Sequence, residues 1–204
     1  EFVKAYNDWA EEKKYHQSNS KAVQVYELAS NGIPTLSSSL PSTKMLVLEA
    51  IKTLRAIDDS LFTILSRMKE LAKSLPEYST VRAMGGVGDV LAPKLIAEIG
   101  DVRRLHSAKA LIAWAGIDPP PYESGQFVGS NRKISKKGSA TLRKTGYEVM
   151  RVLKSHQAPK DCTVYNYILK KEAEGKSKKQ AKIAGLNKFL RIYYARVMEV
   201  YQAA

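Results

Sequence analysis

The 204-residue sequence predicts an all-α fold: a long coiled-coil helix, then a compact helical domain containing a helix-hairpin-helix-like motif. Three observations lead there. Apolar residues recur three and four apart along most of the chain, and no stretch shows the period of two that a half-buried strand needs. One seam of this kind holds without a break from Val47 to Leu75. Residues 78–117 are instead divided into short helical pieces by Gly85-Gly86-Val87-Gly88, Gly100 and Gly116. The division gives two domains, 1–76 with the N-terminal helices and the coiled-coil arm, and 77–204 as a helical domain.

In order, Phe2, Tyr6, Trp9 and Ala10, then Ala22, Val25, Tyr26 and Ala29, mark helix over residues 1–30, with Ser18-Asn19-Ser20 as a break. Asn31-Gly32-Ile33-Pro34 stops it, and Thr35–Pro41 reads as a Ser-rich loop. Next come Val47, Ala50, Leu54, Ile57, Leu61, Ile64, Met68, Leu71 and Leu75, spaced as a and d positions. Ser42 or Thr43 is the expected N-cap and Pro76 the stop. A helix of that length spans about 50 Å at 1.5 Å per residue, too long to pack wholly on so small a domain. It reads as an arm that pairs with the first helices or with a second subunit. An ordinary bundle helix is the alternative.

Beyond it, Val90, Leu91, Leu95, Ile96 and Ile99 form a helix ending at Gly100, and a second runs from about Ser107 to Ala115. Helix, G-V-G turn, helix is the pattern of a phosphate-holding hairpin. Gly86 and Gly88 let the backbone turn tightly and leave N–H groups at a helix start. The same glycines also serve where two helices pack closely, and Asp89 and Asp101 oppose an anion. Asp118-Pro119-Pro120-Pro121 is a stiff connector. Helices follow over 139–155, from Val164 to near Gly175, and from the Lys176–Lys182 run to the end.

Charge is concentrated. Of the formal +13, residues 1–76 contribute +1, residues 77–129 contribute −1 and residues 130–204 the remaining +13. A polyanion is the natural partner of such a block, nucleic acid before membrane. No apolar run reaches the 18 or so residues of a membrane span. No signal peptide is visible, and a single cysteine, Cys162, suits a reducing cytoplasm. No His/Cys set has metal-ligand spacing. The chain opens on Glu1 rather than Met, which reads as a fragment.

The stretch Tyr122–Arg143 joins a hydroxyl to cations. Ser124-Gly125 leads through a Gly/Ser-rich segment to Arg132, Lys133, Ser135, Lys136 and Lys137, then Gly138 and the helix bearing Arg143. As a nucleophile Ser124 would need a base or a neighbouring cation, and Arg132, Lys133 and Lys136 could favour the alkoxide and neutralise a phosphorane. Ser-Gly pairs are also ordinary turns. Lys178, Lys179 and Lys182 extend the cationic rim.

The combination of the G-V-G turn, LHSAKALIAWAGIDP, Tyr122-Glu123-Ser124-Gly125, the ISKKGSATLR box at Ile134–Arg143 and the Lys-rich closing helix is specific. It resembles the C-terminal domain of an insertion-sequence transposase family whose members carry an N-terminal RuvC-like domain with four acidic residues. Piv-type DNA invertases and RNA-guided bridge recombinases belong to that family. The resemblance covers about residues 78–200, and residues 42–76 fit the family's inter-domain coiled coil. Ile117 stands where the family prefers Leu, and the prolines after Asp118 are more numerous than usual. It implies site-specific DNA recombination, with Ser124 as the nucleophile that forms a covalent phosphoserine link. DNA contacts would come from Gly86, Gly88, Gly125, Arg132, Lys133, Ser135, Lys136, Lys137, Arg143, Lys178, Lys179 and Lys182. Mg²⁺ belongs to the RuvC-like domain, and this chain itself needs no cofactor. The partners implied are DNA and a second copy of the chain through the coiled coil. Whether a guide RNA takes part stays open. A non-catalytic nucleic-acid-binding and dimerisation module is the alternative.

Overall fold

The computed structural model describes residues 1–32, 40–119, 123–124, 127–128, 133–155 and 162–203. These residues fold as helices, with one minimal two-stranded pairing. The chain divides into two compact units, 1–59 and 60–204.

In the first unit α1 (Phe2–Glu12) packs against α2 (Asn19–Asn31). Ala10 and Ala22 are its fully buried residues among those described, and their small side chains let two helices approach closely. The expected break is real. Lys14 adopts a left-handed φ of 56°, and the Ser18 hydroxyl accepts from the Lys21 N–H to cap α2. Asn7 ties the two helices, accepting from the Ser18 N–H and donating to Asn19. The expected Ser-rich loop falls largely on residues 33–39, outside the described residues.

α3 runs from Pro41 to Lys73 as one continuous helix. It begins one residue before Ser42, the first expected cap. Proline at the first helical position has no N–H to leave unpaired and carries a φ already suited to the helix. The seam residues Leu54, Ile57, Leu61 and Ile64 are each more than half exposed on it.

The second unit is built on α9 (Lys178–Ala203), whose Leu186, Phe189, Leu190, Tyr193 and Val197 are buried. α4 (Tyr78–Arg82), α6 (Ala108–Trp114), α7 (Ala140–Ser155) and α8 (Thr163–Ala173) all pack on it, and α5 (Leu91–Ile99) packs on α7. Two glycines permit the closest approaches: a Cβ on Gly185 would overlap Ile168, and one on Gly146 would sit 2.5 Å from Leu186. α9 starts with a reciprocal capping box. The Gln180 N–H donates to the Ser177 hydroxyl, and the Ser177 N–H donates to the Gln180 carboxamide oxygen. Glu77, only 3% exposed, accepts from the Tyr201 hydroxyl at 2.8 Å.

The glycine-divided region keeps its expected helices, with Gly100 and Gly116 in left-handed conformation after α5 and α6. Its helix-hairpin-helix-like character is not established. Gly86, at φ 80°, faces α7: a Cβ there would lie 2.7 Å from the Val149 carbonyl oxygen and 3.0 Å from Leu153 Cβ. Gly88 meets nothing within 4 Å. Asp89 accepts from Lys69 at 2.8 Å and from Arg82, and those cations hold its carboxyl down to about 2. Asp101 is likewise paired, with Arg103. The local repulsion of anions expected from these two carboxylates is therefore offset.

Candidate functional site

The segment before α7 is fixed to the end of α6 by its own backbone. The Ser135 N–H donates to the Asp118 carbonyl at 2.8 Å, Lys136 N–H to Gly116 at 2.9 Å and Ser139 N–H to Trp114 at 2.6 Å. The last of these takes up a carbonyl that the C-terminus of α6 would otherwise leave unpaired. The Ser135 hydroxyl adds a bond to the Asp118 carboxylate at 2.6 Å. A Cβ on Gly138 would overlap the Trp114 carbonyl oxygen, so only glycine allows this approach. Lys136 holds a left-handed φ of 55° to keep the path.

The consequence is a neck. Asp118 and Ser135 hold together the two flanks of the segment 119–134, whose sequence contains Ser124. Ser124 belongs to β1 (Glu123–Ser124), which pairs antiparallel with β2 (Phe127–Val128), Ser124 opposite Phe127. Gly125 and Arg132, and the side chain of Ser124, lie outside the described residues.

Of the expected contact residues, Lys133, Lys136 and Lys137 are exposed together on the clamped segment, while Ser135 is half-buried and spent on Asp118. Arg143 is also half-buried. Its guanidinium donates to the Ala115 carbonyl at 3.0 Å and to that of Ser139, so part of its hydrogen-bonding capacity serves the clamp. Lys178 and Lys179 are exposed in the first turn of α9, and Lys182 sits with its ammonium 5.9 Å over the Tyr147 ring. Gly86 lies apart from the clamp, against α7 at Val149 and Leu153. That is about 15 Å along the helix from Ser139 at 1.5 Å per residue.

Sequence reasoning missed three residues that build this site. Ser139 caps α7, accepting from the Leu142 N–H, and donates to Glu98 at 3.2 Å. Glu98 also accepts from the Trp114 indole through its backbone carbonyl. Asp118 anchors Ser135 across 17 residues. Only Ser139 had a local signal, a hydroxyl just before a helical run.

Among the described residues, no group of three or more His, Cys, Asp or Glu could hold a metal, and no helix is long and apolar enough to cross a membrane. Fold and site together define a helical domain that presents a cationic box and a hairpin from one clamped neck.

Residues 78–166, which contain all of this clamp, match the model of the Transposase IS116/IS110/IS902 family. The chain is 27% identical over 150 residues to the pilin gene-inverting protein of Moraxella bovis, covering 72% of this chain and 46% of that protein. It is 25% identical over 173 residues to the insertion element IS116 uncharacterized 44.8 kDa protein of Streptomyces clavuligerus, covering 85% and 42%. It is 29% identical over 89 residues to the transposase for insertion sequence element IS1111A of Coxiella burnetii, covering 42% and 23%. The chain spans less than half the length of these relatives.

Proposed function

We propose that this chain is the DNA-gripping, serine-bearing part of a site-specific transposase or recombinase. The observation that carries it is the neck: within the family-matched segment, Asp118–Ser135 joins the flanks of the segment that contains Ser124, and Lys133, Lys136 and Lys137 stand exposed beside it. The Ser124 oxygen attacks a backbone phosphorus, the serine proton leaves to a base or to solvent, the P–O bond to one deoxyribose oxygen breaks, and that oxygen takes up a proton to become a free hydroxyl. The lysines counter charge that builds on the phosphoryl oxygens. The pilin gene-inverting and transposase relatives are more than twice as long as the aligned region, which leaves room for a second, metal-dependent RuvC-like domain with its Mg²⁺. In this proposal the exposed seam of α3 pairs copies of the chain, the compartment is the cytoplasm, and a guide RNA is a partner still to be sought.

The test uses a full-length protein carrying this region, Mg²⁺ and its element ends. A covalent protein–DNA adduct on a denaturing gel, lost in Ser124→Ala, is the expected result. Tight DNA binding with no adduct in either protein would transfer the chemistry to the other domain and leave this chain as a binding module.

A further inference from the structure

Beside the clamp runs an open groove of about 650 Å³, lined by Leu105, Ala113, Trp114, Asp118, Ser135 and Lys137 among others. That volume falls in the range of small-ligand sites. Its lining is mostly apolar and includes a carboxylate, hydroxyls and a cation. Trp114 is 40% exposed there, whereas Leu111 and Ile112 of the same helix are buried in the core. The indole is held in place. Its N–H donates to the Glu98 carbonyl, and the Arg104 guanidinium lies 4.9 Å from its ring centroid. Arg104 is pinned in turn by two bonds to the Ile99 carbonyl. With Arg104 over one face of the ring, the part-exposed indole beside a lysine would take a stacked base on the face opposite Arg104.

We infer that this groove binds one unpaired nucleotide of single-stranded DNA, its base stacked on Trp114 and its phosphate on Lys137. The inference rests on the proposed DNA-binding reading and refines it. The chemistry fits each wall. A base has a π-face for the indole and N–H donors for the Asp118 carboxylate, while the Ser135 and Ser139 hydroxyls already donate to Asp118 and Glu98. The adjoining phosphate meets Lys137, with Lys136 next to it in sequence and also exposed. A paired base has its faces occupied by neighbours, so duplex DNA has no reason to use the groove. A recombination intermediate exposes unpaired nucleotides, and the groove lies next to the neck of the loop bearing Ser124.

The chain has two tryptophans, so Trp9→Phe leaves Trp114 as the sole indole reporter. The probes are a ten-residue oligothymidylate, the same backbone with abasic sugars, and a blunt duplex, each also followed by anisotropy. Oligothymidylate is expected to quench Trp114 saturably, with little quenching by the abasic strand or the duplex. In the otherwise native chain, Trp114→Leu is expected to weaken oligothymidylate binding roughly tenfold, with duplex affinity unchanged, and Trp114→Phe to retain most of it. The quenching arm needs no change at residue 114, so a folding defect in the leucine variant cannot decide the matter. Anisotropy that reports tight binding without quenching overturns the inference and leaves the DNA reading intact. So does equal quenching by the abasic strand. No binding of any probe at low salt overturns both.

Discussion

Gly116 and Gly138 meet backbone to backbone: a Cβ on Gly116 would stand 2.7 Å from the Gly138 nitrogen, and one on Gly138 would stand 2.6 Å from the Gly116 nitrogen. The cationic box can lie on the end of α6 only because neither residue has a side chain. Gly116 also holds a φ of 63°, which L-residues rarely adopt. Gly138→Ala should therefore destabilise the chain by about 1–3 kcal/mol or more, since backbone atoms cannot yield as a flexible side chain can. Denaturant unfolding measures this. A wild-type midpoint would show that the box is not clamped as described.

Gly86 and Gly88 separate packing from binding. Gly86→Ala meets the Val149 carbonyl and a left-handed φ, and should lower stability by about 1–3 kcal/mol. Gly88→Ala enters open space and should leave stability within about 0.5 kcal/mol. Any loss of DNA affinity in folded Gly88→Ala then bears on the phosphate role expected of the G-V-G turn. A cost at Gly88 equal to that at Gly86 would refute the packing assignment.

Much of this was legible because it is local. The seam that makes α3, the Ser18 break and the glycine stops at Gly100 and Gly116 all follow from period and φ. The clamp was not legible, because its partners are far apart in sequence: Asp118 with Ser135, Glu98 with Ser139, Gly116 with Gly138. A residue-by-residue reading also placed Arg143 among the expected DNA contacts without its part in the clamp. Its bonds to the Ala115 and Ser139 carbonyls depend on how α6 and α7 meet, which periodicity does not encode. The box itself was visible as composition, but its geometry comes from tertiary packing.

Glu77 and Tyr201 lie at opposite ends of the second unit's sequence and share a buried hydrogen bond. Burial first, then that bond and the negative charge of Glu77, push the Tyr201 phenol up to about 12. The neutral phenol is favoured in the folded state. Its contribution is therefore fully present below the ordinary tyrosine value near 10 and is lost as pH rises through about 12. Tyr201→Phe leaves a buried carboxylate without this donor and should cost about 1–3 kcal/mol at neutral pH. Absorbance titration of the phenols should also lose a late component near pH 12. If every phenol of the wild-type chain ionises near 10, this account of Tyr201 fails.

The exposed lysines predict a salt dependence. Grip on about five phosphates gives a log–log slope of binding against salt near roughly −4.5, and each lost contact removes about 0.9. Lys133→Ala, Lys136→Ala and Lys137→Ala together should make the slope shallower by about 2.7. Among the described residues none of the three has an ion-pair partner, so stability should change little. A slope that is flat in the wild-type chain would remove the basic box from DNA binding altogether.

The seam of α3 predicts association. Leu54, Ile57, Leu61 and Ile64 are 51–59% exposed along one continuous helix. At roughly 25 cal/mol per Å² of apolar area, leaving such a row in water forfeits several kcal/mol that pairing with a second seam would recover. A coiled coil recovers it by seating each a and d side chain between four residues of its partner. Leu61→Lys puts a charge in the middle of that seam, where a partner would have to bury it unpaired. The wild-type chain is expected to sediment as an oligomer and the Leu61→Lys chain as a monomer, with helix content by circular dichroism nearly unchanged. A charge at Phe62, one residue around the helix and off the seam, should leave the oligomer intact. An oligomer that survives Leu61→Lys but not Phe62→Lys would place the contact on a different face of α3 from the one the heptads mark.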